Sequence, residues 1–254
     1  HRVDRRQRQM CIRDSSSPVY LIMMVVLAAI GWLCANWRVG VFGFVGFYLV
    51  RALDQWDHTM QTLALVVVAV VLALILAIPL GILAARHKRF SAFIKPVLDF
   101  MQTMPSLAYL VPVIVLFGIG QVPGAIATII FALPPGVRFT ELGLRQVDAE
   151  TVEAGAAFGA SPRHILWRIQ MPLAMPTIMA GVNQVIMLAL SMVVLSGMVG
   201  AGGLGGDVVA ALSQVDIGLG MEAGLAVVIV AVYLDRITSG LAGRTSLERA
   251  RRAG

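Results

Sequence analysis

Between Thr59 and Ala85 the chain carries no charged side chain, and four further stretches, at about 97 to 119, 121 to 139, 177 to 199 and 219 to 238, are largely apolar. A helix rises about 1.5 Å per residue, so about 20 residues cross the roughly 30 Å of hydrocarbon in a bilayer. Each of the five runs is therefore expected to span a membrane. Composition agrees: 58% of residues are hydrophobic and 13% charged, with a mean hydropathy of +0.84, where soluble domains carry about 45–50% and about 25%. The chain reads as an all-α polytopic membrane bundle.

Two shorter apolar runs, Tyr20 to Ala35 and Val39 to Val50, flank Asn36-Trp37-Arg38. One long helix through both would give six spans and place Arg38 near mid-membrane, at a cost of roughly 2.5–3.5 kcal/mol. Two short spans with Arg38 in a turn avoid that cost, so about seven spans are expected, with six as the alternative.

Lys and Arg collect in the cytoplasmic loops of membrane proteins. Arg86, Lys88, Arg89 and Lys95 lie in one inter-span segment, Arg138, Arg145, Arg163 and Arg168 in another, and Arg236, Arg244, Arg249, Arg251 and Arg252 after the last span. The alternate loops hold Arg51 beside Asp54, Asp57, Asp207 and Asp216. The segment around Glu153 and the C-terminus are thus expected in the cytoplasm. The net charge of +6 reflects topology, and nucleic-acid binding is not indicated. Residues 1 to 17, with five Arg and no apolar core behind them, suit neither a secretory signal nor this orientation. They are expected to be a non-native tail, a read-through or cloning scar in place of a longer N-terminus. Cys11 and Cys34 are too few for a disulfide or zinc framework.

The loop from Asp148 to Pro172 is polar but reads as structured. Asp148 suits the N-cap of a short helix over Ala149 to Phe158, with Glu150 and Glu153 towards its positive end. Gly159 suits a left-handed helix closure, Ser161-Pro162 a new N-cap and first turn, and Pro172 a stop. Ala154, Gly155, Ala156 and Ala157 give the first helix a small-sided surface that fits either a partner's groove or the chain's own spans.

Glu153 to Pro172, E-A-G-A-A-F-G-A-S-P-R-H-I-L-W-R-I-Q-M-P, resembles the EAA loop of ABC importer permeases. Glu153, Ala154, Gly159, Ile169 and Pro172 match the pattern, and Gly155 and Met171 replace its second Ala and its Leu. Ser161, Pro162 and Arg163 lie between the two helices. The resemblance implies a type I importer fold with a coupling helix pair that receives force from a separate ABC ATP-binding subunit. The chain has no phosphate loop of its own, since Lys88 and Lys95 follow no glycine. His1, His58, His87 and His164 form no H-E-x-x-H, and no G-x-S-x-G occurs. A transport subunit and no enzyme is expected, binding no cofactor, with ATP and Mg used by the partner.

The segments M-Q-T-M-P at 101 to 105, F-A-L-P-P at 131 to 135 and M-A-G-V-N-Q at 179 to 184 are similar to glycine betaine/proline betaine permeases. That resemblance covers about residues 19 to 240. It implies a homodimer in the bacterial inner membrane, an extracytoplasmic substrate-binding protein, and uptake of osmoprotectants by alternating access. A sister importer for choline, carnitine or an amino acid is one alternative. An ion-coupled carrier is the other, with Glu222 as its one weak intramembrane candidate. Tyr109 and Tyr233, with Phe100, Phe117, Phe131 and Phe139, do not suggest an aromatic cage for a quaternary ammonium. Substrate selection is therefore expected in the binding protein.

Met104, Pro105, Pro134, Pro135, Asn183 and Gln184 are the pathway or gate candidates. Prolines free backbone groups and bend spans, and Asn183 and Gln184 face either the pathway or a neighbouring helix, the neighbour being favoured. Met101, Met104, Met175, Met179, Met187, Met192 and Met198 are expected mainly as core filling. Lys95 and Asp99 stand at ion-pair spacing. Gly200, Gly202, Gly203, Gly205 and Gly206 read as a flexible outer turn or as a docking surface for the binding protein. The expected organisation is a tail at 1–17, a membrane extension at 18–56, a permease core at 57–240 containing the loop 148–172, and a cytoplasmic tail at 241–254.

Overall fold

A computed structural model describes the backbone of residues 17–253 and side chains of 20–243; the expected non-native tail lies almost wholly outside the described residues. The described chain is helical throughout: α1 Ser17–Cys34, α2 Trp37–Ala52, α3 Trp56–Arg86, α4 Lys88–Thr103, α5 Ser106–Phe117, α6 Gln121–Arg145, α7 Ala149–Ala157, α8 Pro162–Ile165, α9 Met171–Ser196, α10 Gly203–Gln214 and α11 Ile217–Ala253. Four helical stretches are long and apolar enough to cross a membrane: Trp56–Arg86, Gln121–Arg145, Pro162–Val199 and Ile217–Gly243. A fifth crossing is available if α4 and α5 act as one broken span.

The sequence expectation of a single span at 97 to 119 is corrected by that break. α4 and α5 meet at 98° around Met104–Pro105. Pro105 has no N–H to continue a helix and holds the preceding residue extended, and Met104 has φ −72° and ψ 136°. Tyr109 donates its hydroxyl hydrogen to the carbonyl of Met101, which the break would otherwise leave unpaired. α1 and α2 are two helices, as the position of Arg38 demanded. Their break falls at Ala35–Asn36, so Arg38 lies in the first turn of α2 and not in the link.

α6 lies at the centre and packs most extensively on α3 and α9. Small residues set these distances: a Cβ on Gly81 would lie 2.5 Å from Thr140, and one on Gly181 2.4 Å from Phe139. Burial of Ala73, Ala77, Ala84, Ala127, Ala132, Ala174 and Ala189 serves the same close packing. The α1–α2 hairpin joins through an aromatic chain in which Tyr20, Trp56, Phe47 and Tyr233 meet edge-to-face at 5.1–6.3 Å. Tyr233 also donates to the Leu27 carbonyl at 2.6 Å.

Three further expectations change. Asp99 pairs with Arg138 of α6 and not with Lys95, whose partner at 3.6 Å is Glu141. Pro172 does not stop the second loop helix. A π-helical turn at Leu166–Gln170 carries the chain on into α9, making Pro162–Val199 one continuous 38-residue stretch. The glycine cluster is a packed corner and not a flexible turn. Gly200, Gly202 and Gly203 take φ of +76°, +74° and +61°, which returns α10 against α9 and α3. A Cβ on Gly197 would lie 2.1 Å from the Gly205 carbonyl carbon. Buried Thr62 accepts the Leu204 N–H at 2.9 Å, supplying the free end of α10 with an acceptor. Gly197→Ala is therefore expected to lower stability by about 1–3 kcal/mol. Gly206→Ala, whose Cβ meets nothing within 4 Å, should be neutral; thermal unfolding of the two purified variants compares them.

Candidate functional site

The residues that the sequence singled out between Asp148 and Pro172 come together as a two-helix bracket. Asp148 caps α7 by accepting the Glu150 N–H at 3.2 Å, and Ser161 caps α8 by accepting the His164 N–H at 3.3 Å, with Pro162 in the first turn. Between them Gly159 takes φ +77°, where an L side chain is strained although space around it is open. Backbone bonds from Gly159 N–H to Ala156 and from Ala160 N–H to Gly155, at 2.9 and 3.2 Å, close the turn.

The two arms meet at Gly155. A Cβ on Gly155 would lie 2.6 Å from Cδ1 of Ile169, so the glycine that replaces the usual alanine lets Ile169 sit on α7. Glu153, Ala154, Ala156, Ala157, Ser161, Pro162 and Arg163 are exposed, and no residue of α7 is buried. Phe158 is 93% exposed at the tip and Trp167 is 60% exposed on the second arm. These two side chains give the bracket an exposed apolar surface.

What keeps the bracket rigid relative to the membrane helices was not expected from the sequence. Arg86, at the end of α3, donates to the Pro162 carbonyl at 3.0 Å. Arg145, at the end of α6, donates to the Ala84 carbonyl of α3 at 3.0 Å and pairs with Glu141 at 2.9 Å. Glu141 is almost fully buried and also accepts from Ser91 of α4 at 2.7 Å. The second arm and the end of α6 that precedes the first arm are thus each tied to the last turn of α3, and α4 is tied to α6 just ahead of the loop. The i, i+4 spacing of Glu141 and Arg145 was a readable signal; the partners on α3 were not.

The other candidates are not gathered into one site. Met104 packs in a cluster with Tyr109 and Met192, a core-filling role. Pro105 is exposed at the 98° break, and Pro134 and Pro135 are buried within an unbroken α6. Asn183 donates to Asp235 at 3.2 Å and accepts from Thr238 at 2.8 Å, bonding the neighbouring α11. Gln184 is exposed on α9, on the same face as Ala180, Met187 and Ser191.

Residues 77–246 match the family described as binding-protein-dependent transport system inner membrane component. The chain belongs to this family. The permease is 48% identical over 231 residues to the glycine betaine/proline betaine transport system permease protein ProW of Escherichia coli (strain K12), covering 91% of the chain and 65% of ProW. It is 46% identical over 221 residues to the glycine betaine transport system permease protein OpuAB of Bacillus subtilis (strain 168), covering 87% and 78%. It spans about two thirds of the length of ProW. A structure of the inward-facing MetNI methionine ABC transporter contains a chain that superposes with a TM-score of 0.67 at 19% identity, over 73% of the permease and 93% of that chain. The fold is thus shared with a type I importer, and the permease is a multi-pass inner-membrane transport component.

Glu141 and Arg145 should respond unequally to substitution. Arg145→Gln leaves the buried Glu141 carboxylate with only Ser91 and the more distant Lys95 and is expected to cost about 1–3 kcal/mol. Glu141→Gln leaves two partly exposed cations that water can reach and should cost less. Thermal unfolding of both variants and the double variant gives the order and the coupling.

Proposed function

We propose that this permease forms the translocation pathway of an ATP-driven importer for glycine betaine, proline betaine or closely related methylated amines. The observation that carries the coupling part is the braced bracket with its uncovered Phe158 tip. An element held rigid at its base and apolar at its tip transmits displacement from a docked partner. The partner fitting that role is a separate ABC ATP-binding subunit that uses ATP and Mg, seated on Glu153–Gly159. The substrate class rests on the relatives, whose names include glycine betaine, proline betaine and, for the 48% identical GbuB of Listeria monocytogenes, carnitine.

In this reading two copies of the permease assemble about a two-fold axis, and a binding protein delivers substrate on the side opposite the loop. The exposed face of α9 bearing Ala180, Gln184, Met187 and Ser191 is the better pathway candidate, since polar atoms turned outward from a single span need a polar lining or a partner. Pro105 marks the hinge. Asn183 is an internal fastener. Pro134 and Pro135 act through α6 packing. The loop and the end of α11 lie in the cytoplasm. The α1–α2 hairpin, running from Trp56 at one end to Gly240 at the other, supplies two more crossings for seven in all. It forms an extension at 18–56 beside a core at 57–240.

Uptake of radiolabelled glycine betaine in a transport-deficient bacterium carrying the permease with its ATPase and binding-protein genes tests the whole. Uptake should vanish when the phosphate-loop lysine of the ATPase is replaced. Uptake that persists there rejects the importer, and absent uptake with intact binding-protein-stimulated ATPase activity rejects the substrate. Gly159→Val forces a branched side chain to positive φ, at about 1–2 kcal/mol. It should cut uptake about tenfold or more without loss of membrane insertion, whereas Gly159→Asn, which tolerates that region, should retain most of it. Full transport by Gly159→Val removes the coupling role of this turn.

A further inference from the structure

Where the α1–α2 link meets α11, the backbones almost touch: a Cβ on Gly240 would lie 2.5 Å from the Cα of Ala35. Beside this contact is a cavity of about 590 Å³ whose lining includes Asn36, Arg38 and Phe42 on one side and Val232, Arg236 and Ser239 on the other. Among the described residues its lining includes two arginines and no carboxylate-bearing residue. Among the described residues neither Arg38 nor Arg236 forms an ion pair, and Asp235, the acid next to Arg236, is engaged by Asn183. Arg38 lies 5.9 Å from the ring of Trp37, which is 62% exposed. An exposed tryptophan beside an arginine at a span end is the pattern of a membrane–water boundary.

We propose that this cavity binds the phosphate group of an anionic phospholipid, at the same membrane boundary as the bracket. Two arginines line one space, and a guanidinium offers paired N–H donors that match phosphate oxygens. The Ser239 hydroxyl and the Asn36 amide add donors for ester and glycerol oxygens. Phe42 and Val232 give the apolar wall that a glycerol backbone and the start of an acyl chain require and a free inorganic anion does not. Basic pockets between spans are a known setting for anionic headgroups. The bound lipid bridges α2 and α11 electrostatically, beside the close contact of Gly240 with Ala35.

The test is native mass spectrometry of the full-length permease, purified with its assembled partner subunits. Phosphatidylglycerol or phosphatidylcholine is titrated into wild type, Arg38→Gln/Arg236→Gln, and Lys88→Gln/Arg89→Gln as a control of equal charge. Phosphatidylglycerol should be retained about 10- to 30-fold better than phosphatidylcholine. That preference should be lost in Arg38→Gln/Arg236→Gln and kept in the control. Ser239→Glu, which sets a carboxylate in the cavity while leaving both arginines, should lose it too. Equal retention of the two lipids, an unchanged preference in Arg38→Gln/Arg236→Gln, or equal loss in the control overturns the site. Thermal stabilisation of wild type by millimolar inorganic phosphate to the extent given by phosphatidylglycerol, absent in Arg38→Gln/Arg236→Gln, overturns the lipid as its occupant.

Discussion

No water is available in hydrocarbon to accept or donate a backbone hydrogen bond, so every interruption of a helix in this fold needs a substitute partner. The break at Met104–Pro105 combines a residue with no N–H and a tyrosine hydroxyl aimed at the Met101 carbonyl. The corner after α9 uses three glycines at positive φ, and Thr62 supplies an acceptor to α10. At Pro172 the chain does not break at all: a π turn shifts the bonding register and the helix goes on. The architecture departs from straight spans only where such compensation is built in, and those departures frame the loop and the outer corner.

The same economy explains the bracket. α7 buries nothing and has little to hold it in place by packing. The helices on either side of it are fastened by directed bonds: Arg86 reaches the Pro162 carbonyl at the start of α8, and Arg145 the Ala84 carbonyl at the end of α3, where terminal carbonyls lack helical partners. Through Glu141, Ser91 and the Asp99–Arg138 pair the base of the loop is linked to α3, α6 and α4. α4 leads directly to the break at Met104, where it meets α5 at 98°.

Much of this was legible in the sequence because its signals are local. Capping by Asp148 and Ser161, positive φ at Gly159, the run of α3 and the separation of α1 from α2 each follow from a few adjacent residues. What was not legible depends on distant partners. Asp99 has Lys95 four residues away, yet Arg138 takes it, because Lys95 turns to a buried Glu141 that carries a stronger need for compensation. Pro172 reads locally as a stop, but packing of Leu166 and Met171 against Leu144 and Ile178 makes continuation favourable. The glycine cluster reads as loose until the partner strands of backbone at Val194 and Gly197 are known. Phe158 had a visible position before a helix-closing glycine, and only the structure shows that it is left uncovered among the described residues.

Three of the tyrosines are committed to internal contacts, which bears on where a methylated amine is recognised. Tyr233 is buried with its hydroxyl bonded to Leu27 and its ring against Phe47. Tyr109 is buried, its hydroxyl closing the α4–α5 break and its ring set edge-on to Phe131 at 5.5 Å. Tyr20, the ring best placed to meet a cation, already has the Arg51 guanidinium 4.2 Å from its centre. A cage needs several ring faces free at once, and these rings serve the fold. In the proposed importer, tight selection of a quaternary ammonium then falls to the separate binding protein. A weakly selective passage also suits a transport path, which must release what it admits.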